Sequence, residues 1–197
     1  TDIIYLDSAT DGYSDPTAGA DGAWNLELQN KLTAVIGNAN YDIGHTVSTG
    51  GGGLAQLNSP CTSNKARGIT GSSAPVGDPF DIDYVAHEVG HQLGANHTFS
   101  MSNEGTGVNK EVGSGITVMG YAGITSQDVA PHSIDIFHEA SIQQVQVNLA
   151  GKACPIVTDI TAVNATPVVA PVSNFTIPIS TPFALTGSAT DANAGDV

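Results

Sequence analysis

Eleven residues, His87 to His97, constrain this chain more than any other stretch, and they read HEVGHQLGANH. His87 and His91 are four positions apart, so on an α-helix they share one face, about one turn from each other. Two neutral imidazoles placed in this way can reach a single Zn²⁺ at roughly 2.0–2.1 Å. Glu88 sits between them and can aim its carboxylate at a metal-bound water, the position of a general base. His97 follows His91 by six residues, and a continued helix would turn it onto a different face. The helix must therefore end, and Gly94 is where it can, because glycine takes the left-handed conformation without Cβ strain. The chain can then double back and bring His97 up as a third ligand. Three histidines with one open position describe a catalytic zinc site rather than a closed structural one. At average composition, H-E-x-x-H-x-x-G-x-x-H arises by chance in well under roughly one chain in a thousand. The alternative is three satisfied structural histidines.

HEVGHQLGANH resembles the metzincin zinc-binding consensus, a family in which a methionine-bearing turn lies downstream. Gly115 to Tyr121, GITVMGY, supplies such a turn, and Met119 is its methionine. The resemblance implies that Met119 lies beneath the zinc as an apolar base for the imidazoles; core filling is the other role open to a lone methionine. Within the metzincins the chain is most similar to the adamalysin/reprolysin group, in particular its bacterial secreted members. The likeness covers roughly residues 1–155 and is densest over 53–121. It implies an α+β fold: a twisted mixed sheet, an active-site helix beneath it, and a lower helical part with a C-terminal helix.

The same resemblance implies a zinc endopeptidase acting on extended polypeptides, with Zn²⁺ held by His87, His91 and His97 and Glu88 as general base. The resemblance implies that the segment Gly53, Leu54, Ala55 corresponds to the edge strand that pairs with substrate by β-augmentation, with an ordinary edge strand as the alternative. Tyr121, two residues after Met119, has the spacing by which astacins and serralysins bring a tyrosine to the metal or to an oxyanion; a tyrosine packed in the pocket wall is equally compatible. Thr98 departs from the pattern, since adamalysins usually carry Asp there and astacins Glu. Cys61 and Cys154, the only cysteines, match a reprolysin disulfide that ties the edge-strand region to the domain's C-terminal end. A lone pair in an acidic chain of secreted type reads as a disulfide, with two free thiols as the alternative.

Composition bounds the partners. Five Lys and Arg face nineteen Asp and Glu, for a net charge of −14. Nucleic acid and anionic membranes are then poor partners, because counterion release has almost no cations to work with. No apolar run approaches the length needed to cross a bilayer. A monomer in a secreted, extracellular setting is expected, with polypeptides as partners. Acidity also suits Ca²⁺, and the loop carrying Asp11, Asp15 and Asp21 reads as either a solvated loop or a calcium site, with no EF-hand pattern. No secretory leader is present, so an export signal and propeptide are expected to be removed or to lie elsewhere.

In chain order, Asp2–Leu6 reads as a buried strand. A helix is expected from about Ala23 to Ile36, capped by Asp21 or Gly22, with Trp24, Leu28, Leu32 and Val35 on its apolar stripe. Tyr41–Thr49 and Arg67–Thr70 read as strands, and Phe80–Tyr84 leads into the zinc helix with Asp81 or Asp83 near its N-terminus. Ile134–Leu149 is a second amphipathic helix. His45, His132 and His138 read as structural. The resemblance places a helix and a strand ahead of Asp2, so the chain reads as a trimmed catalytic domain, 1–155. Residues 156–197 form a Pro/Thr/Val-rich linker followed by the opening of an Ig-like or cadherin-like β module. Two further readings remain: an inactive truncated fragment, or an adhesion module on a metzincin scaffold.

Overall fold

The computed structural model describes residues 3–5, 7–15 and 23–193. The chain forms two compact units, Thr1–Pro155 and Ile156–Val197. In the first, helix α1 (Trp24–Val35) buries Trp24 and Leu28 and starts after Ala23 with no side-chain cap. The expected cap, Asp21 or Gly22, and the Asp2 and Leu6 ends of the expected first strand lie outside the described residues; Ile3–Tyr5 are not in a strand. Gln29, on the inner face of α1, is buried: its carbonyl accepts from Ala66 N at 2.8 Å, and its amide donates to the Tyr41 hydroxyl at 2.8 Å.

Three short strands follow: β1 (Thr46–Ser48), β2 (Gly52–Ala55) and β3 (Gly68–Gly71). Their order is β1-β3-β2, with β1 parallel and β2 antiparallel to β3. This is the small mixed sheet expected from the sequence. β3 is central and buried along its whole length. β2 is an outer strand, with no strand partner on its far side among the described residues. The strand expected over 41–49 shrinks to three residues. Asn38–Asn40 form a 3₁₀ turn just before it, and Gly44 N donates to Lys65 O outside any ladder.

Below the sheet three helical stretches run end to end: α2 (Asp78–Phe80), a π-helical stretch (Asp81–Ala86) and α3 (His87–Leu93). Helix formation thus begins earlier than expected, and Asp83 lies inside it rather than at a cap. The Asp83 carboxylate accepts from Ser133 N at 2.9 Å and from His132 Nδ1 at 3.2 Å. π-Helical turns widen the helix and recur at functional sites; here one ends where the metal-binding motif begins. Gln92 locks α3 to the sheet. It is fully buried, donates to Gly44 O at 2.9 Å, and shares a 2.8 Å bond with His45 Nδ1, whose Nε2 meets Thr70 Oγ1. His45 is thereby a structural residue between strand and helix.

The last helix of this unit, α4 (Glu139–Ala150), packs on α3. It starts five residues later than the apolar period suggested. Ile134 and Ile136 lie outside the helix instead: Ile134 N donates to Ile116 O at 2.7 Å, and Ile136 O accepts from Val118 N at 3.0 Å. His138 then caps α4, its Nδ1 accepting from Ala140 N. Cys61 and Cys154 form a disulfide across 93 residues of sequence. The second unit holds only a two-residue antiparallel ladder, β4 (Val168–Val169) with β5 (Ala189–Thr190). The longer strands expected at Phe175–Ile179 and from Phe183 do not form. Phe175, Ile179 and Phe183 are exposed, so the local alternation there has no second layer to bury against.

The core beneath α3 is built on Met119, Val118 and Ala95, with Phe137, Ile82, Ala86 and Val145 packed around them. Gly90 makes room for it. A Cβ at 90 would stand 2.5 Å from Met119 Sδ and 3.1 Å from Phe137 Cε1. Overpacking there costs roughly 1–3 kcal/mol, against about 1 kcal/mol of helix propensity gained by replacing glycine. Gly90→Ala is therefore expected to lower the urea midpoint of the metal-free protein; a raised midpoint would mean that Met119 is not seated on the helix.

Candidate metal centre

α3 presents His87 and His91 from one face, as their spacing requires. Gly94 ends the helix at φ 116°, the left-handed conformation, and its N–H bonds back to Gly90 O and His91 O. Ala95 N also returns to Gly90 O. The chain then reverses and brings His97 to the same place. One ligand nitrogen from each of the three histidines lies within 4.8 Å of the others, and among the described residues no other group of three or more His, Cys, Asp or Glu is so arranged. Asp11 and Asp15 belong to no such group, and Asp21 lies outside the described residues.

Each Nδ1 is fixed by an acceptor. His87 Nδ1 donates to Val118 O at 2.7 Å, His91 Nδ1 to Ala95 O at 2.7 Å, and His97 Nδ1 to the Glu104 carboxylate at 3.0 and 3.1 Å. A carbonyl or carboxylate can only accept, so these bonds put the proton on Nδ1 and leave Nε2 as a lone pair. The Nε2 atoms of His91 and His97 approach to 2.9 Å. Two lone pairs at that separation repel unless a cation lies between them. Burial reinforces the neutral state: it pushes His87 down to about 3, aided by neighbouring His91 and His97 and opposed by the Val118 bond. Burial likewise takes His91 to about 4, with His97 adding to it. Three imidazoles oriented in this way, each with Nε2 turned to the common point, fit zinc.

Glu88 is buried beside them, and desolvation raises its carboxyl to about 7. It lies under β2, because a Cβ on Gly53 would collide with the Glu88 carboxylate. Gly53 is therefore the residue that lets the edge strand pass over the acid. Together with Leu54, Ala55 and Tyr121 they line one cleft of about 380 Å³ containing His91, His97 and Glu104. The Tyr121 ring packs 4.6 Å from His97 and 5.5 Å from His87, and its phenol is raised by burial and then by the Glu88 and Glu104 charges. Met119 is fully buried, with its backbone carbonyl accepting from Thr98 N. His132 and His138 stay outside the cleft.

Two acidic residues had no visible role in the sequence. Glu104 is the partner of His97. Glu111 ties the segment after His97 to the methionine turn: it accepts from the Thr98 hydroxyl, from Thr117 Oγ1 at 2.6 Å, and from the N–H groups of Ile116 and Thr117 at 3.0 and 3.1 Å. The Thr98 carbonyl in turn accepts from Lys110 N and Glu111 N. Thr98, standing where adamalysins carry a carboxylate, thus obtains one from thirteen residues downstream. A lone Glu in a polar, Gly-rich loop gives no signal of this in sequence.

The chain matches the family model for Metallo-peptidase family M12B, Reprolysin-like, over residues 1–148. No curated protein matches it closely enough to be named beside it.

Burial pulls the Glu111 carboxyl up, but its four hydrogen bonds outweigh that and hold it below the ordinary 4.5. A carboxylate so lowered stabilises the fold above its ordinary value, and the contribution disappears as pH falls through the lowered one. Glu111→Gln is expected to cost about 1–2 kcal/mol at pH 7. The gap between variant and wild type should close on acidification below 4.5. Urea titrations across pH check this, and a gap independent of pH would remove Glu111 from its assigned position.

Proposed function

Given that this chain belongs to the reprolysin-like M12B metallopeptidases, we propose that it is a secreted zinc endopeptidase that cuts extended polypeptides, with Glu88 as its general base. The observation that carries this reading is the meeting of three Nε2 lone pairs and a buried carboxylate beneath an outer β-strand. Zinc held by His87, His91 and His97 would supply Lewis acidity and a water whose pKa falls toward 7.

The rest is the work of the chain's own side chains. An extended substrate adds to β2 along Gly53–Ala55 through main-chain hydrogen bonds, the usual mode at a free sheet edge. This lays its backbone over Glu88, with no side chain at residue 53 in the way. Glu88 takes a proton from the attacking water and delivers it to the departing amine. The Tyr121 phenol keeps its proton and is a donor to the oxyanion that develops on the attacked carbonyl. Met119 holds the floor under α3 so that the imidazoles do not shift. The disulfide, and the lack of any described helix long and apolar enough to cross a membrane, support an extracellular setting.

Metal analysis and cleavage of a denatured protein such as gelatin test the proposal. One zinc per chain is expected in both wild type and Glu88→Ala, with kcat/KM in the variant reduced on the order of 10²- to 10⁴-fold. Zinc without cleavage in the wild type would favour a scaffold or an inactive fragment. Absence of zinc would remove the site's assignment altogether.

A further inference from the structure

The geometry points to Glu104 as a specificity-determining residue that makes the cleft select polypeptides bearing a lysine or arginine next to the bond that is cut; this rests on the polypeptide-cleft reading above. Glu104 has two roles open to it. Its carboxylate orients His97 through Nδ1, but a residue confined to that task has no need of solvent, and the Glu104 side chain is 35% exposed and lines the cleft. Both of its oxygens sit at nearly equal distance from Nδ1, 3.0 and 3.1 Å, so each keeps lone-pair capacity on the open side.

The carboxylate is held in place before any substrate arrives. Glu104 N donates to Asn109 Oδ1 at 3.2 Å, and the Asn109 amide donates to Phe99 O at 2.8 Å and His97 O at 3.4 Å. A charge fixed in this way pays less ordering entropy on binding than a free side chain.

The sign of the cleft is unbalanced. Among the described residues its carboxyl side chains are those of Glu88 and Glu104, and no lysine or arginine lines it. Four of the chain's five Lys and Arg are engaged elsewhere: Lys31 lies over the Tyr5 ring, Lys65 over the Tyr41 ring, Lys110 near Glu139, and Lys152 on Asn58 O; the fifth, Arg67, is not among the residues lining the cleft. Glu104 stands on the Nδ1 side of the His97 ring, away from Nε2, so a divalent cation at the three Nε2 atoms offsets charge at the floor of the cleft and leaves the Glu104 carboxylate as the local negative group at its rim. Exposed Leu54 and Leu57 line the same cleft and offer apolar surface to the methylene stem of a long basic side chain. A net charge of −14 adds long-range attraction for basic chains.

Binding to the zinc-loaded Glu88→Ala protein tests this without relying on turnover. Fluorescent peptides identical except for Lys, Gln or Glu, placed in turn on each side of a central bond, would be titrated by anisotropy. At one of these positions the Lys peptide is expected to bind roughly three- to tenfold tighter than the Gln peptide, with the gap shrinking in high salt. Adding Glu104→Gln should close the gap, and adding Glu104→Lys should turn the preference toward the Glu peptide. Comparing peptides on one variant cancels any change in zinc content. Equal binding of all three peptides, a Lys preference that survives Glu104→Gln, or no peptide binding at all would overturn the inference. The gelatin assay separates the two readings. Charge-selective binding without wild-type cleavage sinks the peptidase proposal alone, and cleavage without charge-selective binding sinks this one alone.

Discussion

Three imidazoles can share one ion only if a chain that has just left a helix reverses within six residues and is then held in the reversed position. Gly94 provides the reversal, at a backbone angle that a side chain would oppose. Glu111 provides the holding, by gathering the Thr98 and Thr117 hydroxyls and two turn amides onto one carboxylate. The remaining architecture serves these two points. Gln92 and His45 pin the helix to the sheet, Met119 fills the space that Gly90 leaves under it, and α4 closes the far side.

Packing His87 and His91 out of water beside each other is costly, and the cost falls on the basicity of these two. An imidazole that cannot take a proton until pH about 3 or 4 stays a ligand through the acid range in which an exposed histidine would have charged. Two of the three acceptors that orient the rings are main-chain carbonyls, from Val118 and Ala95, which no substitution can delete and whose bonds oppose the loss of basicity. The third, Glu104, is an exposed side chain, so substitution can remove it. The site is thus conservative on the side of α3 and adjustable on the side of His97.

The meeting of the three histidines and the helix end at Gly94 were legible because each rests on short-range spacing or on one conformationally special residue, while the mixed sheet was implied by the family resemblance. What was not legible depends on distant pairs. Glu111 acquires its meaning from Thr98 and Thr117, and Gln92 from His45, a pair 47 residues apart; no periodicity marks either. Ile134 and Ile136 misled because their phase fits a helix, yet their backbones bond to Ile116 and Val118 instead. The tail misled in the opposite sense: its β-type composition is real, but Phe175 and Ile179 have nothing to pack on and stay exposed.

The Cys61–Cys154 bond has a mechanical consequence. Cys154 stands two residues before Ile156, where the second unit begins, and Cys61 follows shortly after β2. A pull on the tail reaches Cys154 and crosses by the covalent bridge to Cys61, from where it runs back along the main chain toward β2 and α1. The enclosed loop, which contains His87, Glu88, His91, His97, Glu111 and Met119, lies off that path and carries no tension. Were the second unit fastened to a surface, drag on the molecule would load the bridge and the strands before it, while the metal centre stayed slack.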